Sequence, residues 1–126
     1  MSARTGGAAA RKSAKSASDD REVDAVFDAL ADAMRRRAIQ RLSQGPVRAG
    51  DLAKELGLAP PAMSRHLKVL RDAGLVSETH PEFDARIRIY ELKSERLDLI
   101  RDWLARAEAG WSQQLAAFKK HVEGGQ

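Results

Sequence analysis

Ser64, Arg65 and His66 stand together near the start of an apolar stretch, LAPPAMSRHLKVLRDAGLV, at residues 58–76. An arginine side chain can donate two hydrogen bonds to guanine, and a serine hydroxyl can contact any base. Residues two apart on a helix do not face each other, so Ser64 and His66 are not a catalytic pair. This chemistry predicts contact with base edges rather than catalysis.

The spacing of the apolar residues predicts a helix over residues 61–73. With about 100° between successive residues, Ser64, Arg65 and Lys68 lie opposite the apolar arc. The arc consists of Ala62, Met63, Leu67, Leu70 and Ala73. Such a helix suits the major groove of DNA, with its amino-terminal half at base edges. His66 lies at the edge of the arc, so we expect it to be half-buried, and either structural or facing a phosphate.

The other elements predict a helix-turn-helix and a β-hairpin around this helix. Apolar residues at helical spacing predict a first helix from Asp19 or Asp20. The further elements expected are helices over 34–43, 50–56 and from Ser94 onward, and strands over 75–79 and 86–92. Gly57 and Gly74 end the third and fourth helices as left-handed residues. The order α-α-α-α-β-β-α predicts a mainly α fold with a small β-hairpin (α+β), the winged helix-turn-helix.

The last helix carries more apolar surface than a domain of this size can cover by itself. Apolar residues of the last helix recur on a seven-residue pattern, which is typical of helices that pair with other helices. The expected dimer interface consists of Val23, Phe27, Leu97, Ile100, Leu104, Trp111 and Phe118. Trp103 and Trp111 could instead line a pocket for an organic ligand, but we favour core and interface packing. The pattern therefore predicts a homodimer.

The whole chain has a net charge of +4, and its basic residues are concentrated in two segments. Residues 1–18 contain four Lys or Arg and no acidic residue. We predict a disordered basic tail there, outside a winged-helix DNA-binding and dimerisation domain over residues 19–123. The tail could touch DNA phosphates, serve as a solubilising leader or act as an organelle transit peptide. The second block, residues 35–71, has nine Lys or Arg against two acidic residues, which favours nucleic acid as the partner.

The composition excludes several classes of function. The chain contains no cysteine, so it has no disulfide, thiolate metal site or cysteine nucleophile. Its three histidines are scattered along the sequence. The best remaining group of possible metal ligands, His80 with Glu82 and Asp84, is only a weak candidate for a metal site. No glycine-rich phosphate loop or nucleophile elbow occurs. We therefore expect no enzyme, metal site or cofactor, and the lack of a membrane-spanning or signal segment predicts a cytoplasmic protein.

Three segments resemble the arsenic-repressor (ArsR) family of bacterial dimeric repressors: LADAMRRRAIQRL, GDLAKELGLAPPAMSRHLKVLRDAGLV and RIRIYEL. The resemblance covers roughly residues 23–120, and MSRHLKVLRDAGLV is its most specific part. It implies a homodimer through the first and last helices, wings that flank the DNA, a palindromic operator and autoregulation. The last helix is similar to those of family members without a metal site.

The expected DNA contacts fall into three groups. Base reading is assigned to Ser64 and Arg65. Phosphate contact is assigned to Lys68, Arg71 and Arg48. Contact with the minor groove or the backbone is assigned to Arg86 and Arg88 in the hairpin. The interface is completed by Pro61 and His66.

Two helix starts depart from the family pattern. The family commonly has Ser or Thr at the position of Ala59 and near that of Arg48, and often has Gln at the position of Pro60. Loss of such a cap costs ~0.5–2 kcal/mol. Pro60 and Pro61 partly offset this, because proline suits a first helical position and has no N–H group to satisfy. The missing Gln removes one possible base contact, so the operator sequence cannot be inferred from relatives.

Two other functions would use the same fold. A protein-interaction module would use the helical hairpin and the last helix for a partner protein. A non-specific DNA-binding protein would depend on the basic tail, residues 1–18. A specific DNA reader differs from both, because it loses affinity steeply with salt yet keeps a specificity ratio of ~10³ or more. The sequence favours such a reader, a repressor that acts as a homodimer, and leaves open whether an inducer exists.

Overall fold

The computed structural model describes residues 3–124, and their side chains from residue 17 onward. The helices are α1 (Ala3–Leu30), α2 (Ala33–Leu42), α3 (Ala49–Leu56), α4 (Pro60–Asp72) and α5 (Ser94–Gly124). The strands are β1 (Val47–Arg48), β2 (Val76–Thr79) and β3 (Ile89–Leu92). The segment from β2 to β3, residues 76–92, is called the wing below. The predicted mainly α fold with a small β-hairpin is confirmed, and a third short strand is added to it.

The first helix, α1, begins at Ala3 and not at Asp19 or Asp20 as predicted. The prediction of a disordered tail was based on the scarcity of apolar residues in this segment. Ala, Arg and Lys are frequent in this segment and are among the strongest helix formers, which accounts for the early start of α1. The separation of residues 1–18 from a domain over residues 19–123 stays a prediction, and residues 1 and 2 lie outside the described residues.

The side chain of Asp32 caps α2. Its Oδ1 atom accepts hydrogen bonds from the backbone N–H groups of Met34, at 2.8 Å, and Arg35, at 3.1 Å. These bonds favour the charged carboxylate, and the one from Arg35 is the largest cause that lowers the pKa of Asp32 below its ordinary value. The cap fixes the corner between α1 and α2 and so determines where Arg35 lies.

Neither α3 nor α4 begins with a side-chain cap, as the departures from the family pattern predict. The residues before these helices, Arg48 and Ala59, make no capping hydrogen bond from their side chains. Instead, α4 has Pro60 and Pro61 as its first two residues. Because neither proline has a backbone N–H group, the front of α4 carries two fewer donors that need a partner.

Glycines end α3 and α4 as predicted. Gly57 and Gly74 have left-handed backbones, with φ values of 67° and 77°. At Gly74 an added Cβ atom would lie 2.6 Å from Nε of Arg96. The turn after α4 is therefore packed closely against α5, and Arg96 also forms an ion pair with Glu22 of α1.

The central strand of the three-stranded antiparallel sheet is β3, in the order β1-β3-β2. Tyr90 of β3 pairs with Val47 on one side and with Glu78 on the other. The sequence did not predict β1, because two residues are too few to show the alternation by which a strand is recognised. This short strand joins the start of α3 to the wing, since the Ala49 N–H group donates to the Arg88 carbonyl at 3.0 Å.

The inward face of α4 lies in the hydrophobic core. Met63, Leu67 and Leu70 are almost completely buried, as the helical wheel predicts. They belong to one cluster with buried side chains from α1, α2, α3 and the sheet. Burial of this face determines which side of α4 remains for solvent or a ligand.

Only the first part of α5 packs against the rest of the chain. Leu97 and Ile100 are half-buried against the core. The ring of Trp103 meets that of Phe27 on α1 edge-on, with the ring centroids 5.1 Å apart. The exposed apolar side chains further along are Leu104, Trp111, Leu115, Phe118 and Val122. No described part of the chain covers this second half of α5.

Replacement of Leu67 by alanine tests whether the inward face of α4 anchors the fold. Leu67 is fully buried, so Leu67→Ala should lower the free energy of unfolding by about 2–5 kcal/mol through lost burial and the cavity left behind. Val69 on the same helix is 39% exposed, and Val69→Ala should change it by no more than about 0.5 kcal/mol. Urea denaturation followed by circular dichroism measures both. Equal effects of the two substitutions would contradict this orientation of α4.

Candidate nucleic-acid interface

The outer face of α4 carries exposed basic side chains. Arg65 makes no hydrogen bond or ion pair with any of the described residues, so its guanidinium donors are available to a partner. Lys68 is exposed too, and its Nζ atom lies 3.2 Å from Oδ2 of Asp72. An exposed ion pair of this kind contributes little to stability and can be exchanged for a phosphate. Pro61 is exposed at the front of the same helix.

Ser64 is turned toward the wing rather than outward. It is half-buried, and its Oγ atom accepts a hydrogen bond from Nη2 of Arg88 at 3.0 Å. The helical wheel placed Ser64 opposite the apolar arc, but a wheel holds no information on what lies beside the helix. The hydroxyl keeps its own proton as a donor, so contact with a ligand remains possible.

Arg88 is one end of a hydrogen-bonded network that runs through the wing and returns to α4. Its Nη1 atom lies 3.4 Å from the hydroxyl oxygen of Tyr90, and that hydroxyl donates to Oε2 of Glu78 at 2.5 Å. The same carboxylate oxygen accepts from Nη1 of Arg71 at 2.9 Å. The wing is thus bonded to α4 near both ends of the helix, through Ser64 and Arg71.

Burial and hydrogen bonding determine the protonation states in this network. Burial, and then the hydrogen bond to Glu78, raises the pKa of Tyr90 to about 12, so the hydroxyl keeps its proton and donates. The bond from Tyr90 is the largest cause that lowers the pKa of Glu78, and the charges of Arg71 and Arg88 act in the same direction. The carboxylate is therefore charged at neutral pH, where it accepts hydrogen bonds from both Tyr90 and Arg71.

His80 extends the network further along the wing. Its Nε2 atom lies 3.1 Å from Oε1 of Glu78, and its Nδ1 atom lies 3.0 Å from the carbonyl oxygen of Ile87. Both neighbours are acceptors, so the neutral ring can donate to one and the doubly protonated ring to both. The sequence grouped His80 with Glu82 and Asp84 as a weak metal site, whereas the structure shows it bonded to Glu78.

Three arginines surround the start of α3. Arg48, Arg86 and Arg88 line one cleft together with Gly50 and Asp51 of the first helical turn. Guanidinium groups and the first backbone N–H groups of a helix both attract anions. The exposed side chains of Arg48 and Arg86 can therefore bind a phosphate group there, beside the carboxylate of Asp51, whereas the guanidinium of Arg88 is bonded to Ser64 and Tyr90.

Arg86 is the outermost basic group of the wing, with 92% of its side chain exposed. Asp84 accepts a hydrogen bond from its Nε atom at 3.1 Å and another from its backbone N–H group at 2.9 Å. The side-chain bond is the largest cause that lowers the pKa of Asp84. Arg86 thus points outward from a tight turn, while Arg88 is drawn inward to Ser64.

His66 is half-buried, as the sequence predicts, and contacts a residue that the sequence did not single out. Its Nδ1 atom lies 3.3 Å from Nη1 of Arg35, at the start of α2. Sequence reasoning also missed the network roles of Glu78 and Tyr90. These partners are distant in the chain, with Arg35 and His66 31 positions apart, so no local pattern links them.

The residues predicted for a dimer interface divide into two groups. Val23 is only 4% exposed and belongs to the buried interior of the single chain, and Leu97 and Ile100 pack against the core. The exposed members are Phe27, Leu104, Trp111 and Phe118. A repeat pattern does not distinguish packing within a chain from packing between chains, which explains why the predicted set contains both buried and exposed side chains.

The described residues contain neither a cluster of metal ligands nor a membrane-spanning helix. No group of three or more His, Asp or Glu side chains among them is arranged to hold a metal ion. No helix in this part of the chain is long and apolar enough to cross a membrane. Asp98 of α5 forms an ion pair with Arg101.

Comparison with known proteins gives the same picture as the geometry. The family model for bacterial regulatory proteins of the arsR family matches residues 32–78. The HTH-type transcriptional regulator Rv2034 of Mycobacterium tuberculosis is 40% identical over 98 residues, which cover 74% of this chain and 88% of that protein. The transcriptional repressor SdpR of Bacillus subtilis is 36% identical over 53 residues, 42% of this chain and 59% of that protein.

Solved structures agree with this relationship. An ArsR-like transcriptional regulator from Rhodococcus sp. RHA1 superimposes with a TM-score of 0.68 at 30% identity, over 79% of this chain and 92% of that one. HlyU from Vibrio cholerae superimposes with a TM-score of 0.57 at 26% identity, over 70% of this chain and 92% of that one. The chain therefore belongs to the ArsR family of winged-helix transcriptional regulators.

Proposed function

We propose that this regulator is a repressor that binds a specific sequence of double-stranded DNA through the outer face of α4. The observation that carries the proposal is Arg65, an exposed guanidinium without a partner among the described residues, on a helix whose opposite face is buried. In this orientation α4 can enter the major groove, where arginine recognises guanine with two hydrogen bonds. Repression is supported by the similar SdpR, a transcriptional repressor.

The surroundings of α4 support contacts to the DNA backbone. Lys68 has an exposed ammonium group one turn after Ser64, and the exposed Arg48 and Arg86, which line the cleft at the start of α3, can bind a phosphate. Phosphate contacts position the protein on the duplex, whereas base contacts specify the sequence. We therefore assign base reading to Arg65, with a secondary contribution from the Ser64 hydroxyl, and positioning to the surrounding basic groups.

A homodimer on a palindromic operator is part of the proposal. The second half of α5 exposes Trp111, Leu115 and Phe118, with Phe118 67% exposed. Large apolar side chains on one helix face favour pairing with a second copy, because burial removes them from water. Two copies related by a two-fold axis would place their α4 helices in successive major grooves, about 34–36 Å apart. The proposal also includes autoregulation and a cytoplasmic location.

Substitution of Arg65 tests the assignment of base reading. Arg65→Ala should weaken binding to a selected operator by about 1–3 kcal/mol and relax the preference at one base position. Lys68→Ala is the matched control on the same face, and it should weaken binding to operator and unrelated duplex alike, with a smaller salt dependence. Fluorescence anisotropy with labelled duplexes measures each affinity. Equal losses on both duplexes for Arg65→Ala would refute base reading by this residue.

A charge on the exposed face of α5 tests the dimer. Phe118→Asp should shift the protein toward monomer and weaken operator binding, because a carboxylate would have to be buried in the interface. Ala116→Asp adds the same charge about 160° away on the helix and should leave the dimer intact. Sedimentation equilibrium measures the association state of each variant. A wild-type protein that is monomeric at all concentrations, or a dimeric Phe118→Asp variant, would contradict this interface.

The acid side of the stability curve tests the network between α4 and the wing. The folded-state pKa of Glu78 is lowered, so its contribution is present above the unfolded-state pKa and is lost as pH falls through the folded-state pKa. Glu78→Gln should therefore destabilise the protein at neutral pH, and the difference from wild type should shrink as the pH falls below the ordinary glutamate pKa of about 4.3. Urea denaturation of both proteins at a series of pH values measures this difference in the free energy of unfolding. A difference that stays constant with pH would show that the Glu78 charge contributes nothing.

A further inference from the structure

Arg35 joins the carboxyl end of α1 to α4. Its Nε atom donates to the carbonyl oxygen of Ala29 at 2.5 Å, and its Nη2 atom donates to that of Asp28 at 3.4 Å. The last carbonyl groups of a helix lack partners within the helix, so a cation there stabilises the helix end. The remaining Nη1 atom lies 3.3 Å from Nδ1 of His66 on α4.

The contact between Arg35 and His66 determines which ring nitrogen carries the proton. Arginine stays charged in proteins and has donors only, so Nη1 donates and Nδ1 of His66 accepts. A neutral imidazole has one N–H group, and when Nδ1 accepts, that group is at Nε2. The guanidinium of Arg35 thus fixes both the orientation of the ring and the position of its proton.

The Nε2 atom of His66 reaches the protein surface. Within the described residues it has no hydrogen-bond partner, and none of the buried side-chain nitrogen or oxygen atoms there lacks one. Nε2 is therefore not a buried atom, although the residue as a whole is half-buried. Its N–H group is a donor next in sequence to Arg65, at the margin of the proposed DNA-binding face.

We propose that Arg35 is a positioning residue for DNA binding, which holds His66 so that Nε2–H donates to an acceptor atom of DNA. This inference rests on the proposed function. The acceptor is either a phosphate oxygen or a base atom, because either one can accept a hydrogen bond from this N–H group. Because Arg35 also bonds to the end of α1, it connects a helix proposed for dimer contact with the helix proposed to read DNA.

Arg36 provides a matched control. Its Nη1 atom donates to the carbonyl oxygen of Leu30 at 2.7 Å, so it also caps the end of α1. Among the described residues it makes no contact with His66. Removal of either arginine therefore takes a cation from the same helix end, but only removal of Arg35 releases the histidine ring.

The experiment is a double-mutant cycle on DNA affinity, with Arg35→Ala, His66→Ala and the double variant. Each single variant should bind the selected operator about fivefold more weakly, which corresponds to one hydrogen bond. The double variant should lose no more than His66→Ala alone, because Arg35 acts through His66. The cycle of Arg36→Ala with His66→Ala should show independent effects. An unrelated duplex separates the two acceptors, since a phosphate contact weakens both duplexes and a base contact weakens only the operator.

Two outcomes of the mutant cycles would overturn the proposal: effects of Arg35→Ala and His66→Ala that multiply, or a coupling between Arg36 and His66 as large as that of Arg35. Arg35→Lys keeps the charge without the planar fork, so it tests the same coupling if Arg35→Ala does not fold. Nitrogen-15 spectra of the imidazole are independent of DNA and should show the proton of His66 on Nε2. A proton on Nδ1 would refute the positioning role, whereas equal affinity of the wild type for all duplexes would refute the proposed function instead.

Discussion

The carboxylate of Glu78 joins α4 to the wing, and the shape of the proposed DNA-binding surface depends on this junction. One oxygen accepts from Tyr90 in the wing and from Arg71 on α4, and the other lies beside His80. Hydrogen bonds to a charged group are stronger than those between neutral groups. The wing is therefore held against α4, and two of the residues that line the cleft at the start of α3, Arg86 and Arg88, belong to the wing.

The basic residues divide into those used within the chain and those left for a ligand. Arg35, Arg71 and Arg88 bond to carbonyl, carboxylate or hydroxyl oxygens of the protein, and these bonds fix the positions of the elements that they join. Arg65 has no such partner among the described residues, and Arg86 is almost fully exposed. A count of positive charges does not make this distinction. It is the geometry that separates the groups that shape the surface from those that can meet DNA.

The sequence predicted the fold class, the left-handed glycines and the buried face of α4, because these depend on local spacing and backbone chemistry. It also predicted a regulator rather than an enzyme, which membership of the ArsR family confirms. It missed β1, the early start of α1 and the bond from Arg88 to Ser64. The last of these joins residues 24 apart, and the helical wheel could not place the wing beside Ser64. The assignment of individual DNA contacts stays a prediction.

The central claim is that one face of this chain recognises a particular DNA sequence. The most direct test selects duplexes from a random pool with the wild-type protein. It then compares affinity for the selected duplex with affinity for one of the same composition in permuted order, at several salt concentrations. We expect a steep loss of affinity with salt on both and a ratio of ~10³ or more between them. Equal affinity for the two duplexes would contradict the account.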